Sequence, residues 1–228
     1  MSCLGKDSEN SLKRIFEIII SIFCLVLFSP LLILVMLGII IFDSRPVFFR
    51  QIRVGIGGSD FLLNKFRTMT LEQQSHRGTF DAGDKSRITG IGLFLRKTKL
   101  DELPQLWNVL IGDMSIVGPR PEVRKWVDAY PERWAKVLTV KPGITDPASI
   151  YYRNEEELLV NTDDPEAYYR DYILPHKLDL YEEYVREKSF FGDIYLILKT
   201  IMSVLFPKWY SCHQDSTAII KSKLPSFK

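Results

Sequence analysis

The main feature of the hydropathy pattern is one long apolar run, residues 15–42, "IFEIIISIFCLVLFSPLLILVMLGIIIF". It is longer than the roughly 20 apolar residues that a helix needs to cross a bilayer. Ser29 and Pro30 lie in its middle, where a proline removes a backbone hydrogen bond and kinks a helix. The run therefore predicts a membrane helix that is broken at its centre.

Basic residues flank this run on both sides, with Lys13 and Arg14 before it and Arg45 and Arg50 after it. Because basic residues mark the cytoplasmic side, two topologies compete: a straight span, and a re-entrant helix that enters one leaflet, bends and returns. Charge at both ends favours the re-entrant form. The run is too long for a signal-peptide core and has no cleavage site behind it, so we expect the chain to keep it.

The pattern then changes to short alternating segments. "RPVFFRQIRVG" and "DFLLNKFRTM" are separated by "IGGS" and predict a β-hairpin over residues 46–69, with glycines in the turn. Residues 70–87 are polar and predict a loop, and "ITGIGLFLRKT" predicts a short helix with basic residues at its end.

The remaining apolar segments predict helices. Leu103, Leu106, Trp107 and Leu110 follow helical spacing and predict a short helix with a buried stripe, ended by Gly112. "YYRNEEELL" and "DDPEAYYRDY" predict solvated helical faces or caps. Residues 189–210, "SFFGDIYLILKTIMSVLFPKWY", predict either an amphipathic helix at a membrane interface or a core helix. The predicted fold class is α/β (α+β) and mostly helical, with one small hairpin and amphipathic interfacial helices.

Composition narrows the functional classes. The net charge is +2, with 30 Lys and Arg against 28 Asp and Glu, so a nucleic-acid partner is not expected. The three cysteines have no CxxC spacing, and the three histidines are scattered. Neither a disulfide framework nor a zinc or histidine metal site is therefore predicted.

Two adjacent carboxylates, Asp101 and Glu102, precede the predicted stripe helix. Pro104 suits a first helical turn, which places Asp101 at about the N-cap, and a capping role is one interpretation. The other is chemical: the helix end favours an ionised Asp101 beside a phosphate, while Glu102 shares a divalent cation. Arg96, five residues upstream of Asp101, is then a candidate to hold the phosphate.

Arg120 is a further candidate phosphate ligand. Pro119 and Pro121 stiffen the backbone around it in "SIVGPRPE", which suits bidentate contact with a phosphate, although a solvent-facing arginine in a polyproline turn fits equally well. "VKPGITDPAS", residues 140–149, repeats this turn chemistry with Lys141.

In order along the chain, "LKRIFE", the apolar run with its Ser-Pro break, "FRQIRVG", "KFRTM", "RKTKLDELPQLWNVLIGDMSIVGPRPE" and "KPGIT" resemble the bacterial sugar transferases. These are monotopic polyprenyl-phosphate phosphoglycosyl transferases. The resemblance covers about residues 12–205. It implies transfer of a sugar 1-phosphate from a UDP-sugar to polyprenyl (undecaprenyl) phosphate with release of UMP, as the first membrane step of a glycan pathway.

The resemblance also implies residue roles. Asp101 is expected to be the nucleophile, Glu102 to help bind Mg²⁺, and Arg96, Arg120 and Lys65 to bind phosphate or nucleotide. It also implies that residues 1–45 are inserted in the membrane. Residues 46–228 are then expected to form a catalytic domain on the cytoplasmic face of the bacterial inner membrane. Membrane lipid is an expected partner, and downstream glycosyltransferases are possible ones.

Two departures from the family pattern limit what can be carried over. Glu17 stands where the family commonly has Asp, and "DPASIYYRNEEELL" follows "KPGIT" where many members have Gly-Trp-Ala-Gln. The sugar, the pathway and the oligomeric state therefore stay open. Two other classes also stay open: a membrane-bound metal-dependent phosphatase or pyrophosphatase, and a non-catalytic membrane scaffold.

Overall fold

The structure is a computed structural model that describes residues 3–70, 87–160 and 162–206. Within these ranges the chain is mostly helical, with two small two-stranded sheets, which confirms the mostly helical α+β character of the predicted class. The helices are α1 Cys3–Leu27, α2 Ser29–Asp43, α3 Gly90–Thr98, α4 Gln105–Ile111, α5 Arg124–Ala129, α6 Pro131–Val137, α7 Pro147–Tyr151, α8 Glu155–Val160, α9 Pro165–Tyr168, α10 Leu174–Glu187 and α11 Phe190–Leu205. The strands are β1 Phe48–Val54, β2 Asp60–Phe66, β3 Ser115–Val117 and β4 Gly143–Thr145.

The apolar run forms α1 and α2, which meet at Phe28. Within the described residues, no single helix is long and apolar enough to cross a bilayer. Residues 11–27 and 29–43 meet that requirement only as a pair, with a bend of 60° between them. Pro30 lies in the first turn of α2, where its missing N–H costs nothing, and the Ser29 hydroxyl donates to the Val26 carbonyl at 2.7 Å. The predicted break at Ser29 and Pro30 is confirmed.

Both arms of this bent pair attach to the rest of the protein. On α1, the Arg14 guanidinium donates to the carbonyls of Val109 (2.6 Å) and Leu110 (3.0 Å) in the last turn of α4. Behind α2, the Arg67 guanidinium donates to the carbonyls of Asp43 and Ser44, the latter at 2.9 Å. The two ends of the apolar run therefore lie on the same body.

Glu17, the one charged residue of the run, is buried and explains part of this attachment. Its carboxylate accepts hydrogen bonds from the Ser115 hydroxyl and from the Ile116 amide at 3.1 Å, so it joins α1 to β3. Lys13 lies one turn earlier and pairs with Asp193 on α11 at 2.6 Å. The sequence suggested that Lys13 and Arg14 flank a membrane segment. In the structure these two residues hold α1 against the folded domain.

The predicted hairpin is confirmed, with β1 and β2 antiparallel and in the register Phe49 to Lys65. A tight turn, Ile56–Gly58, joins the strands. Gly57 and Gly58 both have positive φ (65° and 81°), which glycine adopts without the steric cost of a Cβ.

A second sheet, the parallel pair β3 and β4, was not predicted, because "SIV" and "GIT" were interpreted as parts of proline-containing turns. The two strands are only three residues long and bring Gly118 against Gly143. The Gly118 amide donates to the Thr145 carbonyl at 3.0 Å, and the Gly143 amide to the Pro119 carbonyl at 2.9 Å. This contact fixes the chain immediately before Arg120.

Gly143→Ala is expected to destabilise the protein by at least about 1–3 kcal/mol, the usual cost of overpacking. A Cβ at Gly143 would overlap the backbone of Gly118, and backbone cannot move away as a flexible side chain can. Denaturant unfolding in detergent measures the change. The control is Gly90→Ala in the first turn of α3, where a Cβ meets nothing within 4 Å; it should be neutral or stabilising by up to about 1 kcal/mol. Equal stabilities of the two variants would contradict the close approach.

The largest apolar cluster lies between α5, α6 and α10, with Trp134 and Tyr181 at its centre. The Trp134 indole donates to the Trp126 carbonyl at 3.0 Å. Tyr152 and Tyr169, from the two segments predicted to be solvated, are buried in this cluster, so that prediction was wrong for the tyrosines. The two tyrosine side chains pack inward, whereas Arg170 and Asp171, which follow Tyr169, are exposed.

Helix α11 is neither a core helix nor a fully exposed one. Asp193 and Ser203 are buried against the domain, whereas Phe191, Tyr195 and Leu198 are exposed. This two-sided pattern confirms the amphipathic character predicted for the segment. Most of the predicted loop between β2 and α3 lies outside the described residues. Trp209 and Tyr210, the predicted aromatic end of the last helix, also lie outside them.

Candidate active site

Asp101 and Glu102 lie in a single 3-10 turn, Leu100–Glu102, between α3 and α4. Lys99 adopts a left-handed conformation (φ 59°) and ends α3, so the chain reverses direction just before the two carboxylates. The N-cap position of α4 is Pro104, and no side chain caps it. The prediction that Asp101 caps this helix is therefore wrong. Pro104 has no N–H but extends the turn, and the helix begins later than the pattern indicated.

The predicted stripe of α4 is also only partly correct. Leu106 is buried, but Trp107 is 56% exposed, and the buried positions include Asn108 and Val109. Asn108 accepts from the Asn64 amide at 3.1 Å and donates to the Leu62 carbonyl at 2.7 Å, which ties α4 to β2. Gly112, with φ 98°, ends the helix as predicted.

Glu102 is the centre of a compact charge cluster. Its carboxylate accepts from the Lys65 ammonium on β2 at 3.0 Å and from the Arg120 guanidinium. Burial alone would raise the pKa of Glu102, but the charges of Arg120 and Lys65 outweigh it and hold this pKa well below its usual value. Glu102 is therefore ionised, and within residues 3–70, 87–160 and 162–206 its Oε2 atom has only a long contact of 3.5 Å, with Arg120 Nη1.

Asp101 differs from its neighbour in its surroundings. It is 7% exposed, and its Oδ1 atom has no hydrogen-bond partner within the described part of the chain. Burial, and then the negative charge of Glu102, raise the pKa of Asp101. An unpartnered buried carboxylate oxygen is costly to stability, so such an atom is typical of a functional site.

Arg120 is held from both sides of its turn. The contact of β3 and β4 fixes the chain before it, and Glu122 fixes the chain after it. Glu122 is buried and accepts from the Tyr169 hydroxyl at 2.6 Å and from Arg53 at 3.3 Å. The charge of Glu102 raises the pKa of Arg120 further above its usual range, so the guanidinium stays charged.

The sequence did not identify Glu122, Arg53 or Asp146 as parts of this region. Asp146 is fully buried and caps α7 by accepting from the Ser149 amide at 2.8 Å. The only sequence signal for Glu122 is its position two residues after Arg120. The partners that join Glu122 to Tyr169, and Arg53 to Pro121 and Glu122, come from distant parts of the chain, so no local pattern could predict those contacts. The cap formed by Asp146 is local, and the "DPAS" spacing is the signal that could have identified it.

The predicted site residues fall into two places. Lys65, Glu102 and Arg120 meet in the cluster beside Asp101. Arg96 lies in the last turn of α3, and its Nε donates to the Thr68 hydroxyl at 3.0 Å, next to the end of β2.

A divalent cation fits the carboxylates only together with a ligand that brings further oxygens. Across residues 3–70, 87–160 and 162–206, no group of three His, Cys, Asp or Glu side chains is placed to hold a metal. Mg²⁺, however, usually binds one or two carboxylates plus substrate phosphates. The long contact at Glu102 Oε2 leaves one carboxylate oxygen for such a site.

Comparison with known proteins places these residues in a family. The family model described as bacterial sugar transferase matches residues 8–207. The uncharacterized sugar transferase EpsL of Bacillus subtilis (strain 168) is 38% identical over 85% of this chain and 87% of its own length. The UDP-N-acetylgalactosamine-undecaprenyl-phosphate N-acetylgalactosaminephosphotransferase of Aeromonas hydrophila is 34% identical over 85% of this chain. The UDP-glucose:undecaprenyl-phosphate glucose-1-phosphate transferase of Escherichia coli (strain K12) is 35% identical over 83% of this chain. The matches cover 44% and 39% of the lengths of these last two relatives.

Proposed function

The chain belongs to the bacterial sugar transferase family and is a transferase, and from that premise we propose that it moves a sugar 1-phosphate from a UDP-sugar to undecaprenyl phosphate and releases UMP. The relatives from Aeromonas and Escherichia coli are named for reactions of this type. The observation that carries the proposal is the unpartnered Asp101 oxygen beside the cluster of Lys65, Glu102 and Arg120. A free carboxylate next to fixed cations suits attack on a phosphate.

We propose two chemical steps. In the first, an Asp101 oxygen attacks the phosphorus that bears the sugar, a bond forms between them, and the bond from that phosphorus to the bridging oxygen breaks, so that UMP leaves. In the second, an oxygen of undecaprenyl phosphate attacks the same phosphorus and restores the Asp101 carboxylate. A carboxylate is a weak nucleophile, but charge neutralisation and in-line placement govern phosphoryl transfer.

Lys65 and Arg120 bind the diphosphate in this scheme and neutralise the charge that develops on the leaving phosphate. Their positions are preorganised because both contact Glu102, and Arg120 is fixed by the turn between Pro119 and Pro121. When the diphosphate binds, its oxygens join Glu102 as partners of the two cations. We propose that Arg96, at the end of α3, contributes to binding the nucleotide or its phosphates.

We propose that Mg²⁺ binds at Glu102 together with the diphosphate oxygens. When bound, this ion neutralises charge on the transferred phosphoryl group. Glu102 remains ionised over the whole physiological range, which suits a hard cation. The oxygen of Asp101 stays available for attack, because Glu102 and not Asp101 is the carboxylate paired with the cations.

We propose that residues 1–45 form a re-entrant membrane segment and that residues 46–228 lie on the cytoplasmic face of the bacterial inner membrane. The 60° bend and the attachment of both arms to one body support this topology over a straight span. The surface around the bend is apolar and exposed, with Phe23, Val26 and Leu34 facing outward.

The topology predicts that both ends of the apolar run are cytoplasmic. A cysteine at Ser2 and one at Asp128, each in a background without native cysteines, should react with an impermeant maleimide only after cells are opened. Labelling of position 2 in intact cells would rule out the re-entrant segment. Pro30→Ala should shift a measurable fraction of molecules toward a straight span and external labelling, because the bend then loses its cause.

The proposed reaction is tested with purified full chain, Mg²⁺, undecaprenyl phosphate and a panel of UDP-sugars, while UMP release is measured. Lipid-dependent release of UMP with at least one sugar is expected. Release of free sugar phosphate without lipid would instead indicate a phosphatase or pyrophosphatase. No turnover with any donor would leave a membrane scaffold as the better description.

A further inference from the structure

The two faces of the β1–β2 hairpin carry different residues, and only one of them includes Lys65 of the candidate site. In an antiparallel pair, directly opposite residues point to the same face, with their Cβ atoms about 4.5–5.5 Å apart. Phe49 is opposite Lys65, and Gln51 is opposite Leu63. Because the Lys65 ammonium contacts Glu102 at 3.0 Å, the Phe49 ring lies on the face of the hairpin that carries an active-site cation.

Phe49 is set apart from the neighbouring aromatic residue. Phe48, on the opposite face, stacks on Phe66 with ring centroids 5.4 Å apart and planes at 14°. Phe49 is 47% exposed and has no ring partner among the described residues. A half-exposed aromatic ring beside a phosphate-binding cation offers a flat surface for a planar group.

Gln51 is the next residue on this face, and its amide has a fixed orientation. Its Oε1 atom accepts from Arg53 Nη2 at 2.8 Å. Arg53 is itself held by the Pro121 carbonyl at 3.2 Å and by Glu122 at 3.3 Å. With Oε1 engaged, the Nε2 group has no partner within the described residues and can donate to a carbonyl oxygen.

We propose that Phe49 and Gln51 form the subsite for the base of the donor nucleotide. This inference rests on the proposed function. The phosphorus that bears the sugar must face Asp101, and the leaving phosphate lies at Lys65 and Arg120. The nucleoside is attached to that leaving phosphate, so it extends from the cations toward Phe49. Stacking on the ring then holds the base, and the Gln51 amide donates to one of its carbonyl oxygens.

The test measures binding of UMP alone to the full chain in detergent by titration calorimetry. Phe49→Leu is expected to raise the Kd for UMP about tenfold or more, the scale on which aromatic stacking of a base contributes. Phe49→Tyr keeps the ring and should restore tight binding. Gln51→Glu loses the donor amide and should also weaken binding.

The matched control is Ile52→Ala, on the same strand but on the opposite face. Ile52 is 60% exposed and lies opposite Leu62, so its change alters exposed apolar surface without touching the proposed subsite. Its Kd for UMP should equal that of the unchanged protein.

Other outcomes would overturn the subsite. If Phe49→Leu binds UMP normally but has a higher KM for the UDP-sugar, the ring contacts the sugar. If it binds UMP normally but binds anionic phospholipid vesicles less well, the ring contacts the membrane. Normal UMP release by a Phe49→Leu protein with an unchanged Kd overturns only the subsite. Absence of both UMP binding and UMP release in the unchanged protein overturns the proposed function as well.

Discussion

Asp101→Asn should abolish sugar-phosphate transfer, with a loss of about a thousandfold or more, as expected when the nucleophile of a covalent mechanism is removed. The amide has the size and shape of the carboxylate but cannot attack phosphorus. Because Asp101 caps no helix in the structure, its replacement removes no capping hydrogen bond. It also removes a negative charge next to Glu102, so folding should be preserved.

Turnover is measured as UMP release, and folding by thermal unfolding in detergent. The matched control is Asp128→Asn, the same chemical change at an exposed position of α5, which should keep full activity and stability. An active Asp101→Asn protein would remove Asp101 from the reaction. An unfolded one would point to a structural role for the buried carboxylate.

EDTA should reduce turnover to background, and added Mg²⁺ should restore it. The physical reason is that the diphosphate brings negative charge into a site where Glu102 already occupies both Lys65 and Arg120. A divalent cation held by Glu102 and the phosphate oxygens would offset this charge. Full activity in EDTA would contradict the metal role given to Glu102.

A second measurement separates the metal from the fold. Thermal unfolding of the protein without substrate should be nearly unchanged by EDTA, because no group of three metal-binding side chains is preformed in the described ranges. Restoration of turnover by Mg²⁺ and not by Zn²⁺ is expected, since the site offers carboxylate and phosphate oxygens. A large destabilisation by EDTA would indicate a structural metal instead.

The elements with a strong local signal were predictable from the sequence. Apolar length and Pro30 predicted the broken helix, and alternation with glycines in "IGGS" predicted the hairpin. Gly112 marked the end of α4. In each case the signal is local, because a period, a fixed φ or a missing N–H acts within a few residues.

The prediction failed where contacts between distant segments decide the structure. A three-residue strand such as β3 has no period to detect, and its pairing with β4 depends on the contact of Gly118 with Gly143. The capping prediction for Asp101 failed because the left-handed Lys99 and the 3-10 turn reverse the chain before the helix begins. The hydrogen-bond partner of Glu17 lies about 100 positions away in the sequence, and that of Glu122 about 50 positions away.

The candidate site was predictable in its members but not in its geometry. Adjacent carboxylates and an arginine between prolines drew attention to Asp101, Glu102 and Arg120 from residue type alone. Only the folded chain brings both Lys65 and Arg120 to Glu102. Asp101 Oδ1, in contrast, has no hydrogen-bond partner among the described residues. This asymmetry between two neighbouring carboxylates is the basis on which we propose Asp101 as the nucleophile and Glu102 as the ion-binding group.

Mass spectrometry of the protein after incubation with UDP-sugar and Mg²⁺, without lipid, would detect the covalent intermediate on Asp101. We expect release of UMP in a molar amount no greater than that of the enzyme, and a sugar-phosphate adduct on the peptide that contains Asp101. Addition of undecaprenyl phosphate should then remove the adduct and form the lipid-linked product. An adduct on another residue, or release of UMP only when both substrates are bound, would contradict Asp101 as the nucleophile.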